Sequence, residues 1–239
     1  MGVPPTRRSR VHLELLQERH TVVSGCGIPA LKRALDVAVA TMGLVFALPL
    51  WCLIAIAIRL ETRGPIFYRQ ERVGLGRRPF RMYKFRTMVA DAERGTGPVW
   101  ATDGDPRITR LGAILRSTHL DEVPQFVNVL RGEMSIVGPR PERPALVERL
   151  AASIPGYEDR YAVLPGITGL AQVRSGYDRS IGTVRRKLRY DRYYIRRRGC
   201  LSMDFRIMTA TFMVMCQGVF AWRKSTTISP QGVASERET

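Results

Sequence analysis

Apolar and polar positions along this chain fall into a few distinct patterns, and the most extended is an uncharged run from Val37 to Ile58. At roughly 22 residues it is long enough to cross a bilayer's hydrocarbon core as a helix, for which about 20 apolar residues suffice. Pro49 sits near its middle. A proline in a helix interior removes an amide donor and clashes with the preceding turn, so a sharp bend is expected there. Basic residues crowd both flanks, with Arg7, Arg8, Arg10, Arg19, Lys32 and Arg33 before the run and Arg59, Arg63, Arg69 and Arg72 after it. Basic flanks prefer the cytoplasmic side, and a true span shows an imbalance that is missing here. The run therefore reads as a re-entrant hairpin that enters and leaves on one face. A single span with a tolerated proline is the alternative. The run does not read as a secretory signal, because it starts too far in, is too long and lacks a small-residue cleavage site.

Beyond the run the pattern changes period. Pro65 to Arg72 and Pro79 to Met88 read as two strands joined by a Gly74-Leu75-Gly76 turn, with Phe67, Tyr68, Phe80, Tyr83 and Phe85 supplying strand-favouring aromatics. Alternation puts Lys84 and Arg86 on one face of the second strand and Tyr83 and Phe85 on the other. Ala90 to Asp105 is polar and glycine-rich and reads as a mobile loop able to close over a substrate. Ile108, Leu111, Ile114 and Leu115 follow helical spacing, as do Val123, Phe126, Val127 and Leu130, so two short helices meet at His119-Leu120-Asp121. Gly132 closes the second, and Met134 to Val137 reads as a buried strand leading into Gly138-Pro139-Arg140-Pro141.

A further helix is expected over Ala145 to Ala152, and Pro165 to Gly169 reads as a tight turn. Val184 to Arg198 is a very basic helix in which Leu188, Asp191 and Ile195 share the apolar face, an unusual position for a carboxylate. Ile207 to Trp222 is apolar and shorter than a span, and reads as an interfacial or core helix. The arm before Ala30 has no assignable pattern, and the tail after Lys224 is polar and expected to be disordered.

Charge sharpens this picture. The 239-residue chain carries a formal net charge of +17 and seeks polyanions. Beside a membrane segment, lipid headgroups and phosphorylated substrates are favoured over nucleic acid, for which no motif is present. Cys26, Cys52, Cys200 and Cys216 have no zinc or disulfide-scaffold spacing, and His12, His20 and His119 form no ligand pattern. Any metal would be a hard, oxygen-bound ion such as magnesium.

The candidate chemistry sits at Asp121-Glu122. Asp121 is expected at a helix N-cap with Glu122 in the first turn and Pro124 early enough to be tolerated. A helix start keeps a carboxylate ionised and attracts phosphate, so an anionic nucleophile and an anionic substrate can be held together if a cation shares the load. Adjacent helical side chains diverge by about 100°, so the two carboxylates divide tasks. Lys84, Arg86, Arg107, Arg116 and Arg140 lie in segments bracketing the pair, and guanidinium forks suit phosphate oxygens. Plain helix capping is the competing explanation.

The strings KRALD, RQERVG, KFRTM, DPRITRLGAILRSTHLDEVPQFVNVLRGEMSIVGPRP and PGITGLAQV, in this order after a proline-broken apolar run, closely resemble the bacterial sugar transferases, monotopic polyprenyl-phosphate phosphoglycosyl transferases. The resemblance covers Leu31 to about Thr211. It implies an α+β fold, a mostly helical small catalytic domain with a short β-hairpin, anchored by an N-terminal proline-kinked re-entrant membrane helix. The organisation expected is a basic arm at 1–30, the re-entrant helix at 31–60, a catalytic domain with interfacial helices at 61–222 and a disordered tail at 223–239.

The activity implied is transfer of a phosphosugar from a nucleotide diphosphosugar, usually a UDP-sugar, to a polyprenyl phosphate such as undecaprenyl phosphate. The nucleoside monophosphate is released and glycan assembly begins. The resemblance makes Asp121 the nucleophile of a phosphosugar-enzyme intermediate and Glu122 a ligand of Mg²⁺. It assigns Lys84, Arg116 and Arg140 to phosphate binding and marks Asp191; Arg86 joins these as a substrate-binding candidate from its shared strand face with Lys84. It further implies the cytoplasmic face of a bacterial inner membrane, membrane lipid as a partner, and leaves a homodimer open. Two departures stand out. Leu48 precedes the proline where many relatives carry serine, and Val173-Arg174-Ser175-Gly176-Tyr177 replaces a common Asn-Gly-Arg, with Arg174 as a substitute for the missing arginine. With no multi-span region ahead of the run, the chain resembles the compact form of the family. The rival readings are a membrane-anchored basic protein that binds anionic lipid or nucleic acid without catalysis, and a direct sugar transferase that releases nucleoside diphosphate.

Overall fold

A computed structural model of the chain describes residues 29–94, 104–175 and 181–226, with the side chains of 181 and 217–226 excepted. The N-terminal arm, most of the glycine-rich loop and the tail from 227 onward therefore lie outside the described residues, as does the stretch following Ser175. Within them the fold is mostly helical, with two small sheets and one long apolar helix near the N-terminus.

That helix, α1 (Ala30–Glu61), runs as one element of 32 residues with Pro49 inside it. Its charged first turns are buried. Lys32 lies between Asp36 at 3.2 Å, one helical turn on, and Asp204 at 3.0 Å. Ala40 enters a core with Phe80, Met82, Val129, Ile136 and Tyr194. Gly43 packs so closely on the Phe126 ring that a Cβ there would stand 2.6 Å from Phe126 Cε2. At the other end Ile54 and Ile58 enter a second core with Phe85 and Leu115, and Trp51 meets Phe67 and Phe85 edge-on or tilted, at 5.9 and 5.5 Å between ring centroids. The helix is thus seated on the rest of the protein at both ends. Its outer side is apolar and bare: Phe46 is 81% exposed, Leu53 65% and Leu60 82%.

Strands β1 (Phe67–Val73) and β2 (Pro79–Phe85) form the expected hairpin, registered from Phe67 opposite Phe85 to Val73 opposite Pro79. Gly76, at φ 60°, and Arg77, at φ 61°, both take left-handed backbone in the short helical turn Leu75–Arg77. Helix α2 (Arg110–Ser117) follows, then a 3-10 turn (Leu120–Glu122) and α3 (Gln125–Leu130). Buried Asn128 on α3 accepts from the amide of Tyr83 at 3.1 Å and donates to the carbonyl of Arg81 at 2.8 Å, which fixes the helix against the free edge of β2. Such a side chain mimics a pairing strand and satisfies two backbone groups that burial would otherwise penalise.

The second sheet corrects one expectation. Gly166–Thr168 is a strand, β4, parallel to β3 (Ser135–Val137), with Ser135 opposite Gly166 and Val137 opposite Thr168. Gly138 and Gly166 allow the close approach that made the segment look like a simple turn, since a Cβ on Gly166 would stand 2.1 Å from the Gly138 amide nitrogen. Between the two strands lie α4 (Pro144–Ser153) and the 3-10 segment Tyr157–Ala162; α5 (Leu170–Arg174), α6 (Ile181–Arg196) and α7 (Leu201–Thr226) complete the chain. Helix α7 starts six residues before the expected Ile207 and continues past the boundary drawn at 222.

Strand β3 is gripped from two sides by buried polar groups. The Ile136 amide donates to Asp36 at 3.1 Å, and the Tyr194 hydroxyl lies 2.8 Å from the Val137 carbonyl oxygen and 3.0 Å from an Asp204 carboxylate oxygen, with its one proton shared between these two acceptors. Removing one member of such a cluster leaves the others charged or unpaired in a medium that cannot solvate them. Asp36→Ala is expected to cost about 3–5 kcal/mol of unfolding free energy, measured by urea denaturation in detergent micelles; an unshifted midpoint would mean that Lys32 and Ile136 find other partners.

Candidate active site

The site is assembled from three segments that converge beside β2. The first is β2 itself, which presents Lys84. The second is α2 and the turn after it. Thr109 caps α2, its hydroxyl accepting from the Gly112 amide at 2.9 Å, and a Cβ on Gly112 would stand 2.0 Å from the Thr87 carbonyl oxygen, so only glycine fits. This contact sets Arg116 beside the same residue, where its Nε donates to the Thr87 hydroxyl at 2.9 Å.

After α2, His119 adopts a left-handed backbone at φ 58° and reverses the chain into the turn Leu120–Glu122. This overturns the expectation that Asp121 is a helix N-cap. His119 is the N-cap of the turn and Pro124 that of α3, and Asp121 stands between them inside the 3-10 turn. The apolar spacing of both helices was correct; the local reversal at a non-glycine residue has no sequence pattern of its own.

The third segment is the Gly138-Pro139-Arg140-Pro141 loop that leaves β3. Arg140 Nη2 donates to Glu122 Oε1 at 2.7 Å, and Lys84 Nζ donates to the same oxygen at 2.6 Å. Glu122 Oε2 has only a long 3.4 Å contact with Arg140. Asp121 is held far less: Lys84 stands 3.7 Å from its Oδ2. Both carboxylates are buried, at 6% exposure for Asp121 and 8% for Glu122.

The electrostatics diverge accordingly. Burial opposes ionisation of Glu122, but the charges of Arg140 and Lys84 and their hydrogen bonds outweigh it and hold this carboxyl well below the usual range. For Asp121 burial dominates and Glu122 adds repulsion, so its pKa is raised despite the opposing charges of Lys84, Arg140 and Arg116. Glu122 is thereby a fixed, compensated anion. Asp121, when ionised, carries a charge that few groups stabilise, and its oxygens are left open to an electrophile.

The structure therefore brings together Asp121, Glu122, Lys84 and Arg140, with Arg116 close enough to act on Asp121. It does not bring in Arg86. This residue was expected on the Lys84 face, but its guanidinium donates to the carbonyls of Thr62 and Arg63 at 2.8 and 3.0 Å and to the Thr62 hydroxyl at 2.7 Å. It closes the C-terminal end of α1, where unpaired carbonyls and the helix dipole attract a cation. Strand alternation failed as a guide because β2 ends at Phe85, one residue short of it. Arg107 likewise pairs with Asp105 at 2.6 Å.

Asp191 stands one step back. It pairs with Arg160 at 3.1 Å, and Arg160 in turn donates to the backbone carbonyl of Arg140 at 2.8 Å and to the Tyr157 hydroxyl at 2.5 Å. The odd carboxylate on the apolar face of α6 thus supports the Arg140 loop from behind. Arg160 itself was missed, since one arginine in an irregular Glu-Asp-Arg-Tyr stretch carries no periodic signal. Arg174, proposed to replace a missing loop arginine, is solvent-exposed at the end of α5.

Among the described residues no group of three or more His, Cys, Asp or Glu forms a metal cage. The Asp121-Glu122 pair nevertheless has the oxygen donors that magnesium accepts in ones or twos when substrate phosphates complete its shell. Of the two Glu122 oxygens, Oε2 is the less engaged by the two cations.

A family model described as bacterial sugar transferase matches residues 28–218. A Bacillus subtilis relative named putative undecaprenyl-phosphate N-acetylgalactosaminyl 1-phosphate transferase is 46% identical over 68% of this chain and 79% of its own length. An Aeromonas hydrophila UDP-N-acetylgalactosamine-undecaprenyl-phosphate N-acetylgalactosaminephosphotransferase is 38% identical over 90% of this chain and 51% of its own. An Escherichia coli UDP-glucose:undecaprenyl-phosphate glucose-1-phosphate transferase is 44% identical over 70% of this chain and 36% of its own. The chain thus spans about half of the Aeromonas relative and about a third of the one from Escherichia coli.

The unequal compensation of the two carboxylates has a measurable consequence. Glu122→Ala leaves Lys84 and Arg140 without their shared anion and is expected to cost about 3–5 kcal/mol. Asp121→Asn removes a charge that burial disfavours and should leave the urea midpoint unchanged or raise it at neutral pH. Equal losses in the two variants would contradict the geometry.

Proposed function

Since the chain belongs to the bacterial sugar transferase family, we propose that it transfers a phosphosugar from a nucleotide diphosphosugar to a polyprenyl phosphate such as undecaprenyl phosphate. The family relatives' names support the donor and acceptor classes. The observation that carries the mechanism is the contrast between Glu122, doubly paired, and Asp121, buried beside it and weakly held.

In the proposed first step an Asp121 carboxylate oxygen attacks the sugar-bearing phosphorus. The bond from that phosphorus to the bridging oxygen breaks, and the nucleoside monophosphate leaves with the electron pair. In the second, a phosphate oxygen of the polyprenyl acceptor attacks the same phosphorus and the bond to Asp121 breaks, regenerating the carboxylate. Two displacements let a water-soluble donor and a lipid acceptor use one site in turn. Lys84, Arg140 and Arg116 supply positive charge to phosphate oxygens in both steps. Asp191 keeps Arg140 in place through Arg160. Mg²⁺, with Glu122 as its protein ligand, would neutralise charge on the diphosphate.

The re-entrant placement of α1 belongs to the same reading. Both ends of the helix pack on one domain, both are flanked by basic residues, and the apolar side between them is bare, which supports entry and exit on one face. A helix standing upright in a bilayer would meet a domain at one end only. The same flanks favour the cytoplasmic face, and the family points to the bacterial inner membrane as its site.

Asp121→Asn is expected to abolish transfer, and donor labelled in the sugar phosphate should remain covalently on the wild type and not on the variant. Retained transfer in Asp121→Asn overturns the nucleophile. Release of uridine diphosphate in place of monophosphate from a UDP-sugar overturns phosphosugar transfer itself. Glu122→Gln should raise the magnesium concentration needed for half-maximal rate by about tenfold or more, the scale of losing one ligand interaction; an unshifted titration removes Glu122 as ligand.

A further inference from the structure

Helix α6 buries Val184, Leu188 and Tyr194 and turns the opposite side to solvent. On that exposed side stand Arg186, Arg189, Tyr193 and Arg196, and Arg197 and Arg198 follow in the turn to α7. At about 100° per residue the four helical positions fall within roughly 80° of arc, one continuous face. Among the described residues none of these five arginines makes an ion pair, whereas neighbouring Arg192 is paired with Asp159 at 2.9 Å. Tyr193 is 46% exposed, with the Arg197 guanidinium 4.6 Å from its ring centroid. Like charges three and four apart on a helix repel and destabilise it, so such a face is unfavourable until an anionic partner covers it.

The position of this face argues for what covers it. The turn after α6 touches the start of the membrane helix: a Cβ on Gly199 would stand 3.0 Å from Pro29 Cγ. Three residues beyond Pro29, Lys32 reaches Asp204 in the first turn of α7. Helix α7 then exposes Phe205, Phe212 and Met213 along one side. Two helices with bare apolar sides therefore originate at the corner that carries the unpaired arginines. A tyrosine among arginines at the edge of an apolar surface is the composition of a headgroup contact.

We propose that the arginine face of α6 and its corner with α7 bind anionic phospholipid headgroups and seat the protein on acidic membrane. This rests on the reading that α1 lies in the bilayer, and it adds a specific lipid contact outside the reacting groups. Each basic side chain near an anionic surface contributes on the order of fivefold in affinity.

The test is calorimetric titration of the full chain in neutral detergent with dihexanoyl phosphatidylglycerol and, separately, dihexanoyl phosphatidylcholine below their micelle concentrations. The wild type is expected to prefer the glycerol lipid, less so as salt rises. The combined variant Arg186→Gln, Arg189→Gln, Arg196→Gln and Arg197→Gln should lose at least about tenfold in that affinity while keeping its far-ultraviolet circular dichroism and its turnover in detergent. Removing three exposed arginines elsewhere, in Arg69→Gln, Arg78→Gln and Arg81→Gln, should leave the preference intact. Equal affinity for the two lipids, or unaltered binding by the four-site variant, overturns the proposal. A duplex oligonucleotide held more tightly than the lipid by the same arginines also overturns it, in favour of nucleic acid. Absent phosphosugar transfer with lipid preference intact would instead count against the catalytic reading alone.

Discussion

One buried carboxylate organises the candidate site of this protein. Glu122 draws Lys84 from β2 and Arg140 from the loop after β3 onto a single oxygen, and the two like charges converge there only because it compensates them. Because those segments are far apart in sequence, the ion pairs specify a tertiary arrangement that helix and strand propensities leave open. They also explain why adjacent acids behave differently. Glu122 takes nearly all the available positive charge, and Asp121 is left ionisable but poorly stabilised. A site that compensated both equally would be better satisfied and less reactive, in keeping with the strain that functional groups store elsewhere in proteins.

The same economy of charges ties the apolar helix to the site. At its start Asp36 accepts from the backbone of β3, the strand that delivers Arg140. At its end Arg86 closes the last carbonyls from a position two residues beyond Lys84. Both connections run through buried polar groups whose loss is expensive, so the seat of α1 and the position of the two cations are set by one continuous set of contacts. A helix with an exposed apolar side would otherwise be free to swing relative to the domain that it anchors. Asp191 adds a third brace, acting on the Arg140 carbonyl through Arg160.

Basic residues in this chain consequently do three different jobs that composition alone cannot separate. Lys84 and Arg140 are half-buried beside acids; Arg86 and Arg33 satisfy carbonyls at helix ends, Arg33 reaching those of Val129 and Leu130 at 2.7 and 3.0 Å; and Arg186, Arg189 and Arg196 of α6 stay exposed, with no ion pair among the described residues. A net charge of +17 described all of them as one property.

What the sequence determined by itself was whatever is written in local periodicity and in long continuous motifs. The hairpin, the short helices, the apolar run, the Asp-Glu pair and the family were legible there because each is encoded within a short stretch of chain. Tertiary structure alone decided that Gly166–Thr168 is a strand, that Asp121 lies in a 3-10 turn, and that Arg86 serves α1. It also decided that Asp36, Asp204 and Arg160 are buried and paired. In each case the deciding partner is distant in sequence, and a charged or polar residue takes its role from the group that meets it after folding.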